Sequence, residues 1–302
     1  TMTDAREFYH QKMMVPKENN RLEAPQFRVR NYNNFIKSLL LKLYCRNVSP
    51  RIWDIGSGRG QDVKKYIHNR PEFVYFTEFV ELAREECKTR WSELNARDQY
   101  QASFTLYDFL TMNISDAGIL PESIDCAAAQ FCLNYAAKSA ASLEFVLGQV
   151  WASLKKGGMF LGTFADGDLL HRKILIRMHH PEYFNKETSK TLFYHYSVQP
   201  ANKEQKFPLG DFQPYLIQIG DDMVDCIEYI LTEKTLTNVA KKIGFEVKIM
   251  EGFPEFSYNH QGNQVHQELY NRVFQLQRHH SKLTPEDCEL IDIYTVFVFR
   301  KP

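Results

Sequence analysis

The chain has 302 residues, 44% hydrophobic and 25% charged, a balance that suits one large α/β domain or two small ones in water. Its 37 basic and 37 acidic residues cancel, which argues against a protein that coats long nucleic acid and leaves room for a local grip on a short piece. No run approaches the roughly 20 apolar residues of a membrane span, and the polar first 24 residues lack the apolar core of a signal peptide, so no membrane partner is expected.

Residues 1–23 read as a polar N-terminal arm behind Thr1, a start that suggests a piece of a longer polypeptide. Residues 24–46 read as a basic helix. Phe35, Ile36, Leu39, Leu40 and Leu43 recur at helical spacing, while Arg28, Arg30, Lys37, Lys42 and Arg46 stand among them without an acidic residue. Such a run is either a solvated face or one turned to an anion. Residues 52–55 predict a short buried strand, 56–60 a turn and 61–68 a helix. A second strand over 72–79 ends in Glu78, a helix follows over 81–91, and a third strand over 103–109 closes at Asp108. The small-residue run 123–131 predicts a fourth strand and 140–154 a helix. Gly157 and Gly158 then mark a turn into a fifth.

Strands alternating with helices predict a mainly parallel sheet with crossover helices. After Phe164 the pattern breaks for about 65 residues, too many for an ordinary loop. Residues 165–234 hold the strand-like runs TLFYHYSV, PYLIQIG and DCIEYILT, and predict a small β-rich subdomain inserted after the fifth strand. The stretch TLTNVAKKIGF predicts a helix, the His-rich 257–285 a helical insert, and DIYTVFVFRK a last strand, all within a single domain over 1–302.

The stretch IWDIGSGRGQDVKKY carries the first functional signal. A dinucleotide fingerprint, G-x-G-x-x-G, would need glycine at 61, where the chain has Gln61. The register is instead Asp54, Gly56, Gly58, Gly60, which resembles motif I of the class I S-adenosylmethionine-dependent methyltransferases. An acid should close the next strand, where a carboxylate can accept both ribose hydroxyls. Glu78 stands there, 18 residues after Gly60, and Asp108 closes the third strand. A Rossmann-like domain that has lost its ligand is the plainer reading.

Five further stretches, NNFIK, GSGRGQDVKKY, QFCLNY, DCIEYIL and IYTVFVFRK, are spread over residues 28–301. With motif I they make the chain resemble the mRNA cap guanine-N7 methyltransferases of eukaryotes and large DNA viruses. The resemblance implies a Rossmann-like class I fold, an α/β domain whose mainly parallel seven-stranded sheet has helices on both faces. It implies methyl transfer from S-adenosylmethionine to N7 of a GpppN cap, with the capped mRNA 5′ end as partner. In viral members other capping-enzyme domains share the polypeptide. It implies a cytoplasmic place (viral factory or virion) for a viral chain and a nuclear one for a cellular chain. Asn34 and Lys37 would close over the methionine end of the cofactor. Asp54, Gly56 and Gly58 would line it, Glu78 would hold the ribose and Asp108 the adenine. Gln130 and Phe131 would stand where cofactor and cap meet. Tyr135, Glu228 and Tyr294 would face the guanine as the catalytic set, with Asn134 beside them, and Lys65 and Arg59 would approach the cap phosphates.

Plainer readings stand beside these. Tyr294 fits an ordinary core position, Glu228 a surface one, Phe131 a packing residue, and Lys64 with Lys65 an exposed helix face. The pairs His179–His180 and His279–His280 lack acidic or cysteine partners at ligand spacing, so no metal is expected. The cysteines (Cys45, Cys87, Cys126, Cys132, Cys226, Cys288) form no C-x-x-C pair and point to a reducing compartment. The chain departs from the family at Asn134, where histidine is usual, at Arg59 for lysine and at Gln61 for glycine; Trp53 inside the first strand is also unusual. The nearest approach to a guanylyltransferase K-x-D-G motif, TFADG, has Phe164 for the lysine, so cap attachment is not expected. Two other functions stay open: methylation of a small molecule or protein, and a non-catalytic cap-binding module.

Overall fold

The computed structural model describes residues 26–220, 224–275 and 282–302. The expected 1–23 arm and the pair His279–His280 lie outside them. The chain divides into two compact units. One, here the sheet unit, comprises 37–164, 236–250 and 296–302; the other, the insert unit, takes residues up to 36 together with 165–235 and 251–295.

In chain order the elements are α1 (Phe27–Tyr44), β1 (Arg51–Ile55), α2 (Val63–Tyr66), β2 (Phe73–Glu78), α3 (Glu81–Ser92), β3 (Gln101–Leu106), β4 (Ile124–Gln130), α4 (Leu133–Ala136), α5 (Ala140–Ser153) and β5 (Leu154–Ala165). There follow α6 (Gly167–Arg177), β6 (Thr191–Leu192), β7 (Tyr196–Pro200), β8 (Pro214–Ile219), β9 (Val224–Tyr229), α7 (Glu233–Ile243) and β10 (Glu246–Gly252). Last come α8 (Phe253–Asn259), α9 (Gln264–Tyr270), α10 (Pro285–Ile291) and β11 (Tyr294–Arg300).

The sheet unit carries a seven-stranded sheet in the order β10-β11-β5-β4-β1-β2-β3. The pairs β1–β2, β2–β3, β1–β4 and β4–β5 are parallel. The chain steps outward from β1 to β3, then returns to β4 on the other side of β1. That reversal opens a crevice at the carboxyl ends of β1 and β4, where sheets of this kind bind ligands. β1 is central and buried, which explains its short apolar run; Ala127, Ala128 and Ala129 of β4 are fully buried beside it. Trp53 donates from Nε1 to Thr77 Oγ1 at 3.0 Å and meets the Tyr107 ring edge-on, 6.1 Å between centroids. A polar tether and an aromatic wall thus accommodate this large side chain in the strand.

Several boundaries move. The third strand ends at Leu106, so Asp108 lies two residues beyond it, in the loop. The 61–68 helix shortens to α2, followed by a 3-10 turn over Ile67–Asn69 that Arg70 closes in the left-handed region at φ 47°. Gly157, φ 80°, does not precede the fifth strand but sits inside it; its N–H donates to Lys301 O at 2.8 Å, and the β4–β5 register shifts there.

The insert unit holds a four-stranded antiparallel sheet, β6-β7-β8-β9. TLFYHYSV contributes two strands rather than one. α6, which no periodicity announced, starts where Asp166 Oδ1 accepts from Asp168 N at 2.8 Å and Leu169 N at 3.3 Å, an N-cap. β10 was also missed, because EVKIMEG alternates charge with apolar residues at an edge of the sheet. Among the described residues no helix is long and apolar enough to cross a membrane, and no His/Cys/Asp/Glu group of metal-binding size occurs. All six cysteines are free thiols.

Candidate active site

The glycine turn follows β1. Gly56, Gly58 and Gly60 have φ of 64°, 53° and 71°, the left-handed region that glycine adopts without strain. The last two serve different ends. A Cβ at Gly60 would lie 2.7 Å from Cys87 Cα, so that glycine lets the turn close on α3. A Cβ at Gly58 would meet nothing within 4 Å; the space over that backbone is open. Gly58 N–H donates to Glu78 Oε2 at 2.8 Å, and Val80 N–H to Oε1 at 3.0 Å. Glu78 is thereby fixed at the end of β2, its pKa pushed up by burial against these backbone donors. Each of its oxygens keeps a lone pair for a further donor.

Asp54, 2% exposed, has an Oδ2 without a hydrogen-bond partner among the described residues. Burial, then repulsion from Asp62, push its pKa well up. An acid in that state calls for a cationic or hydrogen-bonding ligand. The ammonium group of the expected methyl donor meets that demand, and the open cradle at Gly58 accommodates close approach. Asp54→Ala is expected to weaken S-adenosylmethionine binding at least tenfold by calorimetry, an order-of-magnitude effect for one hydrogen bond to a charged group. Unchanged affinity would refute this register of the glycine turn.

Asp62, which the motif reading passed over, is the hub of the next layer. Lys37 and Lys65 lie 2.7 and 2.6 Å from its Oδ1, and Lys37 also donates to Oδ2 at 2.9 Å. Burial alone would raise the Asp62 pKa; the two ammonium groups outweigh it and hold the carboxyl below the usual range. Lys65 is lowered by burial and partly restored by Asp62. The sequence reading sent Lys65 outward to the cap phosphates. Its side chain is instead 12% exposed and turned inward, because Asp62, one helical turn earlier, captures it. Lys37 likewise ends on Asp62, with Nζ 6.0 Å from the Phe131 ring centroid. Lys64 takes the exposed face.

At the end of β4, Gln130 Oε1 accepts from Thr163 Oγ1 at 3.1 Å, leaving Nε2 without a partner among the described residues. Phe131 has φ 58°, unusual for a residue with a side chain. Its N–H donates to Thr163 O at 2.9 Å, a bond that holds the strained turn. On α4, Asn134 is buried and Tyr135 half-buried. Asp108 Oδ1 accepts from Leu110 N at 3.0 Å, and Arg59 lies 3.5 Å from Glu86. Arg59, too, is therefore partnered within its own unit.

In the insert unit, Glu228 is 9% exposed and not the surface residue its sequence context allowed. It stands directly across the ladder from Tyr215, whose hydroxyl donates to Glu228 Oε2 at 2.9 Å. Tyr294, 5% exposed, packs against Phe253 at 5.5 Å, and burial followed by the Glu228 charge raises its pKa. Asn34 is half-buried on α1. Tyr215 and Thr163 were missed: each matters through a cross-strand partner, and no local spacing marks such a pair.

The mRNA (guanine-N(7))-methyltransferase domain profile matches residues 2–302. Among curated proteins, the mRNA cap guanine-N(7) methyltransferase of Eremothecium gossypii is 29% identical over 98% of this chain and 70% of its own length. The Arabidopsis thaliana mRNA cap guanine-N(7) methyltransferase 1 is 26% identical over 92% of this chain and 76% of its own. Among solved structures, an S-adenosylmethionine-dependent methyltransferase from Listeria monocytogenes matches with a TM-score of 0.51 at 13% identity, covering 90% of this chain and 99% of that one. A methyltransferase of Haloferax volcanii, solved with its Trm112 activator, matches with 0.51 at 11%, covering 99% of this chain and 100% of that one. These structures share the class I methyltransferase fold, and the profile spans nearly every residue: the chain belongs to the mRNA (guanine-N7)-methyltransferase family, enzymes that use S-adenosylmethionine.

Proposed function

We propose that this enzyme methylates N7 of the guanine in a GpppN RNA cap, and that its own residues act by holding and polarising rather than by moving protons. The observation that carries the acceptor side is Glu228, a buried carboxylate fixed by the Tyr215 hydroxyl. S-adenosylmethionine, when bound, supplies a sulfonium methyl. Asp54, Gly58, Glu78 and Gln130 would hold it, with Asn34, Lys37, Gly56 and Phe131 around them and Asp108 at the adenine.

Guanine N7 has a free lone pair at neutral pH, so no residue has to remove a proton. Alignment alone can lower such a barrier by roughly 7–11 kcal/mol. Glu228 is assigned the N1 and N2 hydrogens of guanine, where its charge favours the positive ring formed by methylation. Adenine lacks those donors and is refused. Tyr294 and Tyr135 are assigned its faces, each stack worth about 1–3 kcal/mol. Asn134 can donate its amide to guanine O6. The inward Lys65 and the Glu86-paired Arg59 serve the cap phosphates only if those pairs open.

The test is methyl transfer from labelled S-adenosylmethionine to GpppG-capped RNA, to uncapped RNA and to small acceptors. Transfer confined to capped RNA is expected; transfer to the others without the cap would overturn the proposal. Asn134 cannot titrate, so no histidine-like step should come from this position on the acid limb of the pH–rate profile. Asn134→His is expected to introduce one near the ordinary histidine value of about 6.5. A step in the wild type that vanished in Asn134→Ala would contradict this.

A further inference from the structure

A groove of about 540 Å³ lies wholly within the insert unit and takes no part in the roles above. Its volume suits a small planar ligand. Tyr32, Tyr258 and Tyr270 line it, the last two 69% and 43% exposed. Gln261, Gln267 and Asn271 add three side-chain amides, each with a donor and an acceptor. His266 also lines it. That ring is 6% exposed, with Nε2 3.1 Å from Ser257 Oγ and Nδ1 without a partner among the described residues.

The wall is preformed. The His266 ring lies within 9° of parallel to Tyr270, and Phe35 meets it edge-on at 5.1 Å. Phe274 braces Tyr270 from 4.8 Å. Burial, followed by the charge of nearby His260, lowers the His266 pKa, so the ring is neutral near pH 7.

No Lys, Arg, Asp or Glu lines the groove, and Arg28 of α1 is engaged 2.5 Å from Asp287. Neither a phosphate nor a carboxylate finds a counter-charge. No Leu, Ile, Val, Met or Phe lines it either, so the apolar anchors of a docked peptide helix find no pocket. Exposed aromatic faces beside paired donors and acceptors match an unpaired nucleobase, which proteins read by stacking on Tyr or His and by amide contacts to the base edge.

We propose that this groove holds an unpaired nucleobase of the transcript downstream of the cap, stacked on Tyr258 and Tyr270 and read by the amides of Gln261, Gln267 and Asn271. The inference rests on the reading of capped RNA as substrate. The strand's phosphates stay in water, so binding should be nearly insensitive to salt.

The experiment uses the full chain and an uncapped, fluorescein-labelled adenosine pentamer, followed by anisotropy. Saturable binding is expected, weakened about tenfold by Tyr258→Ala, in line with the loss of one base stack, and retained by Tyr258→Phe, which keeps the ring. Excess GpppG should not displace the pentamer. The log–log salt slope should be shallower than about −1, whereas contacts to several phosphates give about −0.7 for each. No binding, equal binding by Tyr258→Ala, displacement by GpppG or a steep salt slope would each overturn the proposal. Methyl transfer to the dinucleotide GpppG separates the two readings. If it holds while pentamer binding fails, only the groove is misread; if it fails, the cap reading itself is wrong.

Discussion

Glu228→Gln is expected to lower kcat about a hundredfold while S-adenosylmethionine affinity, measured by calorimetry, changes less than about threefold. Methylation converts a neutral guanine into a cation. A carboxylate roughly 6 Å from that charge, at an effective dielectric of about 20, favours it by about 3 kcal/mol, which is roughly two powers of ten in rate. The amide keeps the shape and still accepts from the Tyr215 hydroxyl, so the β8–β9 ladder has no reason to move. It loses the charge and presents one donor where the carboxylate presented only acceptors. Tyr215→Phe removes the support but not the charge and should cost less. Equal losses in rate and cofactor affinity would show that Glu228 is not at the acceptor.

The cofactor half of this site was legible because its signals are local. Glycine at 56, 58 and 60 records three positive φ angles in one turn, and Glu78 follows at the spacing of a strand–helix–strand unit. The acceptor half was legible only through resemblance. Nothing in DCIEYIL says that Glu228 is buried; its burial depends on the antiparallel register that sets Tyr215 opposite. Direction was the other casualty. Asp62 and Lys65 at i and i+3 announce an ion pair, but not that burial turns both inward, so Lys65 was read as reaching out. The groove in the insert unit left no trace, since Tyr32, Tyr258 and Tyr270 come from separate helices of no marked periodicity.

The same inward turn makes Asp62→Asn the most destabilising single change expected here. Asp62 holds two ammonium groups whose side chains are 8% and 12% exposed, Lys37 and Lys65. Removing one member of such a cluster typically costs about 3–5 kcal/mol, because charges remain buried without compensation. Asp54 would recover part of this. Repulsion from Asp62 is one cause of its raised pKa, and attraction to both lysines already opposes that rise. With Asp62 neutralised, Asp54 ionises more readily and becomes their counter-charge, so about 3 kcal/mol is the better figure. The pH dependence gives the sharper signature. The folded Asp62 carboxyl is held below its ordinary value of 3.8, so its contribution is complete above that pH and disappears as pH falls toward the depressed folded value. Asp62→Asn should therefore melt well below the wild type at pH 7, with the gap closing below about pH 4. Thermal or urea unfolding at pH 7 and pH 3 measures both. A variant as stable as the wild type at pH 7, or a gap that persisted undiminished at pH 3, would mean that the two lysines are not held by this carboxylate. S-adenosylmethionine affinity should fall as well, since Asp54 would then be engaged with Lys37 and Lys65 instead of the ligand.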